Sequence, residues 1–240
     1  MLVSSVYGRT AGPRSFAAEF HYQVCEDDVS TIMEKMQDID VELNATKRMR
    51  ISYFDDSRLS VFGKNLIVRL REKNNKNELT LKFRTIESGR KRDYGDCEWD
   101  VYRRGKQRSC VVEKEITDAE KNILITHPEK LIEILSAEQK VFLQHYQIDL
   151  SAVDFRQLGA VDAVKFEFSN DWVLEDWSFD EKTSIREISW KGEGSNLGAI
   201  YQKQLAKLKS VGLNICPTEL KKTKFTPVSY THLRAHETKA

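Results

Sequence analysis

The chain has 240 residues, 40% apolar and 31% charged, with 38 lysines and arginines against 37 aspartates and glutamates and a formal net charge of +1. That apolar fraction supplies one core of barrel size, and the near-balanced charge excludes a global pull on nucleic acid, so a cationic site has to come from local clustering. No stretch reaches the roughly 20 apolar residues of a membrane-spanning helix, and residues 1–15 lack the apolar middle region of a signal peptide, so neither export nor insertion is expected.

In chain order, Phe16 to Val24 reads as a strand and Asp27 to Met36 as a short amphipathic helix, with Asp27 or Asp28 near its start. From Arg48 the chain turns β-rich. Met49 to Phe54, Asn65 to Lys73, Glu78 to Thr85 and Cys97 to Tyr102 predict an antiparallel sheet, with Asn74, Asn75, Lys76 and Asn77 as a polar hairpin loop. Ile116 to Tyr146 is helical in spacing and propensity, with a break near His127 and Pro128. Strands follow near Val164 to Phe168, Trp172 to Trp177 and Ser184 to Lys191, and Leu197 to Val211 makes a last helix that ends at Gly212.

The cysteines, Cys25, Cys97, Cys110 and Cys216, lie far apart with no Cys-x-x-Cys pair. This predicts free thiols in a reducing compartment, of which the cytoplasm is the simplest. Residues 227–240 read as a non-native tail, because Val228 to Thr238 corresponds to one reading frame of a transposase-type sequencing-library adapter. His232 and His236, which lie in it, are therefore set aside as a metal pair, and His127 and His145 are taken as structural or surface groups.

Successive side chains on a strand point to opposite faces, so each strand carries two separate inventories. Arg69, Arg71 and Lys73 alternate with Leu66, Val68 and Leu70, and Thr80, Lys82 and Arg84 alternate with Leu79, Leu81 and Phe83. Glu98 and Asp100 oppose Cys97, Trp99 and Val101, while Glu19, His21 and Gln23 oppose Phe20, Tyr22 and Val24. Lys165 and Glu167 oppose Phe166 and Phe168, and Glu187, Ser189 and Lys191 oppose Arg186, Ile188 and Trp190, the one strand that mixes the classes. Alternation alone fits an open sheet with one wet face. Segregation by sign argues against it: the basic groups share one hairpin, are rich in arginine, and are matched by acids on other strands. The planar fork of Arg69, Arg71 and Arg84 beside Lys82 suits a phosphate chain. Glu19, Glu98, Asp100 and Glu187 are hard oxygen donors of the kind Mg²⁺ or Mn²⁺ accepts. Cations and carboxylates around one anion is the layout phosphoryl chemistry needs. His21 weighs more as a hydrogen-bonding residue than as a ligand.

The run Tyr53-Phe54-Asp55-Asp56, then Val68-Arg69-Leu70-Arg71, then Leu79-Thr80-Leu81-Lys82-Phe83-Arg84, resembles the central signature of the CYTH or triphosphate tunnel metalloenzyme superfamily. The resemblance extends more weakly from Phe16 to Leu220, which sets an expected domain of residues 16–220. It implies an α+β fold, a closed eight-stranded antiparallel β-barrel or tunnel with helices packed outside, and chemistry on triphosphates with Mg²⁺ or Mn²⁺. Carried over, Arg69, Arg71, Lys82 and Arg84 would hold phosphates, with Lys165 grouped beside them. Glu98 and Asp100 would serve catalysis, and Glu19 and Glu187, with His21 as a weaker candidate, would serve the metal. The first strand departs from the hallmark Glu-x-Glu-x-Lys, having Glu19-Phe20-His21-Tyr22-Gln23. A site short of carboxylates should hold Mg²⁺ less well, and His21 as a ligand would tilt preference toward Mn²⁺ or Zn²⁺.

The leading expectation is metal-dependent hydrolysis of a small-molecule triphosphate such as tripolyphosphate, thiamine triphosphate or a nucleotide. A non-catalytic polyphosphate- or nucleotide-binding domain and a nucleotide cyclase stand as alternatives. Neither a membrane nor a specific nucleic acid is an expected partner.

Overall fold

The computed structural model describes residues 16–26, 28–73, 76–85, 93–180 and 183–218. The residues 227–240 that sequence reading sets aside, with His232 and His236, lie outside the described residues, as do Asp27, Asn74 and Asn75.

The alternating segments form β1 (Phe16–Val24), β2 (Leu43–Asp55), β3 (Leu66–Lys73), β4 (Lys76–Thr85), β5 (Asp96–Tyr102), β6 (Gly105–Ile116), β7 (Arg156–Phe168), β8 (Trp172–Ser178) and β9 (Ser184–Gly194). They close into one barrel in the order β1-β5-β6-β4-β3-β2-β7-β8-β9. The expected eight-stranded antiparallel barrel is corrected on two points. Among the described residues there are nine strands, and β5 lies parallel to β1, with Glu19 opposite Asp100. The added strand is β6, whose Cys110, Val111 and Val112 put apolar groups on both faces and so blur the period-two pattern. It returns from β5 through a tight turn, Tyr102 facing Gly105, and this hairpin fits between β1 and β4. Lys76 and Asn77, expected in the hairpin loop, begin β4.

Helices pack on the outer face. Asp28 caps α1 (Val29–Gln37) by accepting from the Ser30 and Thr31 N–H groups, which satisfies donors a helix start leaves open. Its Ile32 and Met36, together with Leu197, Tyr201 and Leu208 of α6 (Leu197–Ser210), cover Phe20 and Tyr22 of β1 and Ile188 of β9. Gly212, at φ +77°, follows α6 in the left-handed region. The long helical segment resolves into α3 (Asp118–Thr126), a 3₁₀ turn at Pro128–Lys130, α4 (Leu131–Ile134) and α5 (Ala137–His145). Thr117 with Glu120 and Ser136 with Gln139 form reciprocal capping boxes. Leu124, Leu131 and Phe142 of these helices bury the outward leucines and valines of β3 and β4. None of the helices among the described residues is long and apolar enough to cross a membrane.

The link from β2 to β3 explains the Tyr-Phe-Asp turn. Asp55 is buried, and its carboxylate accepts from the Asp56, Val61 and Phe62 N–H groups at 2.7, 2.9 and 2.8 Å. These bonds shape the short helix α2 (Ser60–Gly63) and aim the chain into β3.

The cysteines are not free. Cys25 pairs with Cys216 and Cys97 with Cys110. The fold brings residues 191 positions apart together because the segment after α6 returns to β1, where Val24 bridges Ile215. With all four cysteines paired, free thiols no longer point to a reducing compartment. A cross-link over so long a loop restricts the unfolded chain strongly. Reduction, or Cys25→Ser, is expected to lower stability by roughly 2–5 kcal/mol, read as a shift of the urea midpoint. An unchanged midpoint would show that the Cys25–Cys216 bridge contributes nothing.

Candidate functional site

Directly paired residues of neighbouring strands share a face, so the register assigns the lumen. Lys191 faces Glu19, Ser189 faces His21 and Glu187 faces Gln23 across β9 and β1. Arg71 faces Glu78, Arg69 faces Thr80 and Ile67 faces Lys82 across β3 and β4. These faces surround a cavity of ≈ 1580 Å³. The charged faces read from the sequence are therefore one surface, and it is internal.

That surface has two characters. On β2, Met49, Ile51 and Tyr53 stand opposite Lys73, Arg71 and Arg69, so they too face the lumen. With Ile67, Trp177 and Ile185 they make an apolar wall beside the charges. Sequence reasoning missed this wall because it equated charge with the inside. Apolar walls lower the local dielectric and strengthen every charge interaction nearby.

The expected site residues lie as follows. Asp100 is fully buried, and its Oδ2 sits 3.0 Å from Lys82 Nζ and accepts from the Ser109 hydroxyl at 3.0 Å. Burial alone would raise this carboxyl, but the Lys82 cation and His21 hold it well below the usual carboxylate range. Arg71 pairs with Glu78 at 2.9 Å and with Glu113 at 3.6 Å. Lys165 pairs with Glu167 at 2.9 Å, and Glu98 with Lys191 at 2.9 Å. Arg84 lines the cavity near Asp100. Arg69 enters no ion pair among the described residues, and its buried Nε has no hydrogen-bond partner there. His127 is exposed beside Glu129, and His145 packs against Tyr94 and Tyr146 outside the lumen.

His21 is the centre of the acidic side. Its Nδ1–H donates to Glu187 Oε1 at 3.0 Å, while Nε2 lies 3.7 Å from Asp100 Oδ1 and 3.9 Å from Glu19 Oε2. Its ring stacks on Tyr102 with centroids 4.8 Å apart. Burial works to lower its pKa, but Glu187, Glu19 and Asp100 together raise it to about 10. The surrounding carboxylates thus favour its imidazolium form. Tyr102 and Ser109 escaped sequence reading, since only the β5–β6 hairpin and the parallel β1–β5 register bring them to His21 and Asp100.

One nitrogen and two oxygens, from His21, Glu19 and Asp100, lie within 4.8 Å of one another. His21 Nε2 is buried without a hydrogen-bond partner. Such a donor set fits a divalent cation, whose binding at Nε2 would release the proton. Asp93, Cys97 and Cys110 also converge, but both sulfurs are in the disulfide and are not available as thiolates.

No protein-family model matches the sequence, and no curated protein matches it. Solved structures do share the fold. A candidate adenylyl cyclase from Hippeastrum, described as having a dominant triphosphatase activity, superposes with a TM-score of 0.64 at 14% identity, over 89% of this chain and 96% of that one. A candidate adenylate cyclase from Bacillus halodurans gives 0.58 at 17% identity, over 86% and 95%. One from Vibrio parahaemolyticus gives 0.52 at 10% identity, over 87% and 96%. The closed barrel with helices outside that the sequence resemblance implies is found, with nine strands and a parallel β1–β5 pair among the described residues in place of eight antiparallel strands.

Proposed function

We propose that this is a CYTH-type enzyme that binds a small-molecule triphosphate in the lumen and hydrolyses it with the help of a divalent cation. The observation that carries the reading is Arg69: a lumenal guanidinium with a buried, unpartnered Nε, on the wall it shares with Lys82 and Arg84. Arg69 is half-buried, and a buried donor left without an acceptor is costly, a cost that a phosphate oxygen relieves. The triphosphatase described for the Hippeastrum protein supports the same chemistry.

In this reading Arg69, Arg71, Lys82 and Arg84, with Lys165 further along the wall, orient the phosphates. Glu98, open to the lumen, orients the attacking water. Asp100 holds Lys82 in place, and Glu19, His21 and Asp100 supply the cation's donors, with Glu187 behind His21. A divalent cation held there would supply charge neutralisation for a transferring phosphoryl group, chemistry in which positioning and electrostatics do most of the work.

Phosphate release from tripolyphosphate, thiamine triphosphate or a nucleoside triphosphate with Mg²⁺ or Mn²⁺ is the test, and silence on all of them would sink the enzymatic reading. In an active enzyme Glu98→Gln should lower turnover by roughly 10²-fold or more with little change in triphosphate affinity, a split between kcat and binding. Equal losses in both would make Glu98 a binding residue instead. Cyclic nucleotide among the products would point to a cyclase.

One observation favours a non-catalytic binding domain: Glu98, Asp100 and Glu187 already face protein cations. On that reading the parent is inactive, and His21→Glu with Gln23→Lys creates activity.

A further inference from the structure

The acidic side of the lumen differs from a simple carboxylate cage, because an imidazole stands at its centre. Three observations converge there. Glu187 accepts from His21 Nδ1 at 3.0 Å, fixing the ring and turning the other nitrogen away. That nitrogen, Nε2, is buried with no hydrogen-bond partner. It lies 3.7 Å from an Asp100 oxygen and 3.9 Å from a Glu19 oxygen. Donors sharing one ion about 2.1 Å away stand roughly 3.0–3.4 Å apart, so small side-chain movements draw Nε2 and these oxygens onto a common ion. A carboxylate behind a histidine is also the arrangement that orients metal-bound imidazoles and raises their basicity.

We propose that Glu187 holds His21 through Nδ1 so that Nε2 joins one oxygen each from Glu19 and Asp100 in a nitrogen–oxygen–oxygen site selective for Mn²⁺ or Zn²⁺ over Mg²⁺. This deepens the reading of the lumen as metal-dependent and rests on it for the presence of a cation. Glu187 then acts through His21 and is a positioning residue. The selectivity follows from the donors: Mg²⁺ demands near-octahedral oxygen coordination and retains its waters, whereas imidazole suits the later divalent ions. Tyr102, stacked on the ring at 14° between planes, restrains its rotation and keeps Nε2 aimed at the two carboxylates.

The test uses the full chain and Mn²⁺ alone, with no phosphate compound present, so that it stands apart from triphosphate binding and turnover. One tightly held Mn²⁺ is expected per chain, with nitrogen-14 modulation from a bound imidazole in its pulsed electron paramagnetic resonance. A hundredfold excess of Mg²⁺ should leave it in place, and Zn²⁺ should displace it. Glu187→Gln should weaken Mn²⁺ binding by roughly 10- to 100-fold, and His21→Glu should abolish the nitrogen signal while allowing Mg²⁺ to compete. Because the nitrogen signal is read on the unaltered protein, a variant that fails to fold does not decide the matter. Absence of nitrogen modulation, displacement by equimolar Mg²⁺, or no Mn²⁺ binding would each overturn the proposal. Metal binding as described, with tripolyphosphate ignored, would instead overturn the triphosphate reading and leave the site intact.

Discussion

Lys82→Ala is expected to destabilise the protein by roughly 3–5 kcal/mol, the cost of leaving a buried carboxylate without its cation. Asp100 has no exposed surface, and Lys82 Nζ is 3.0 Å from it. The Ser109 hydroxyl and the more distant His21 remain in the variant, but neither replaces an ammonium in contact. The loss should appear in the urea midpoint without a change in slope. Adding Asp100→Asn should recover part of it, since a neutral amide is cheaper to bury than an unpaired charge. A midpoint that moves by less than about 1 kcal/mol would mean that water reaches Asp100 and that the lumen is wetter than its apolar wall implies.

Arg69→Ala should do the opposite, leaving stability within about 1 kcal/mol and lowering tripolyphosphate affinity by roughly 10- to 100-fold, the worth of one to two charge-assisted hydrogen bonds. The contrast follows from their partners. Lys82 is committed to a buried carboxylate, while Arg69 has no acidic partner among the described residues. Arg71 is intermediate, because Glu78 and Glu113 already hold it. Loss of stability without loss of binding in Arg69→Ala would assign that residue to the barrel wall and remove it from the phosphate site.

Much of this arrangement was legible in the sequence where side-chain alternation is clean. The Arg-x-Arg of β3 and the Lys-x-Arg of β4 put their cations on one face and, Ile67 apart, their large apolar groups on the other, so strand, face and chemistry could be read together. Where both faces carry apolar groups the signal failed. Cys110, Val111 and Val112 hid β6, and Met49, Ile51 and Tyr53, apolar yet lumenal, hid the uncharged wall. The surroundings of His21 depend on long-range register. Glu187 is 166 residues away along the chain, and Asp100 comes near through a parallel pairing that no local pattern announces. The pairing of Cys25 with Cys216 was hidden for the same reason, since spacing in sequence carries no information about where the last segment returns.

The most direct measurement is calorimetric titration of tripolyphosphate into the full chain and into Arg69→Ala, with and without Mn²⁺. One-to-one binding that tightens with Mn²⁺ and weakens in the variant is the predicted result. No binding to the parent in either condition would contradict the account, and would mean that the lumenal charges serve only each other.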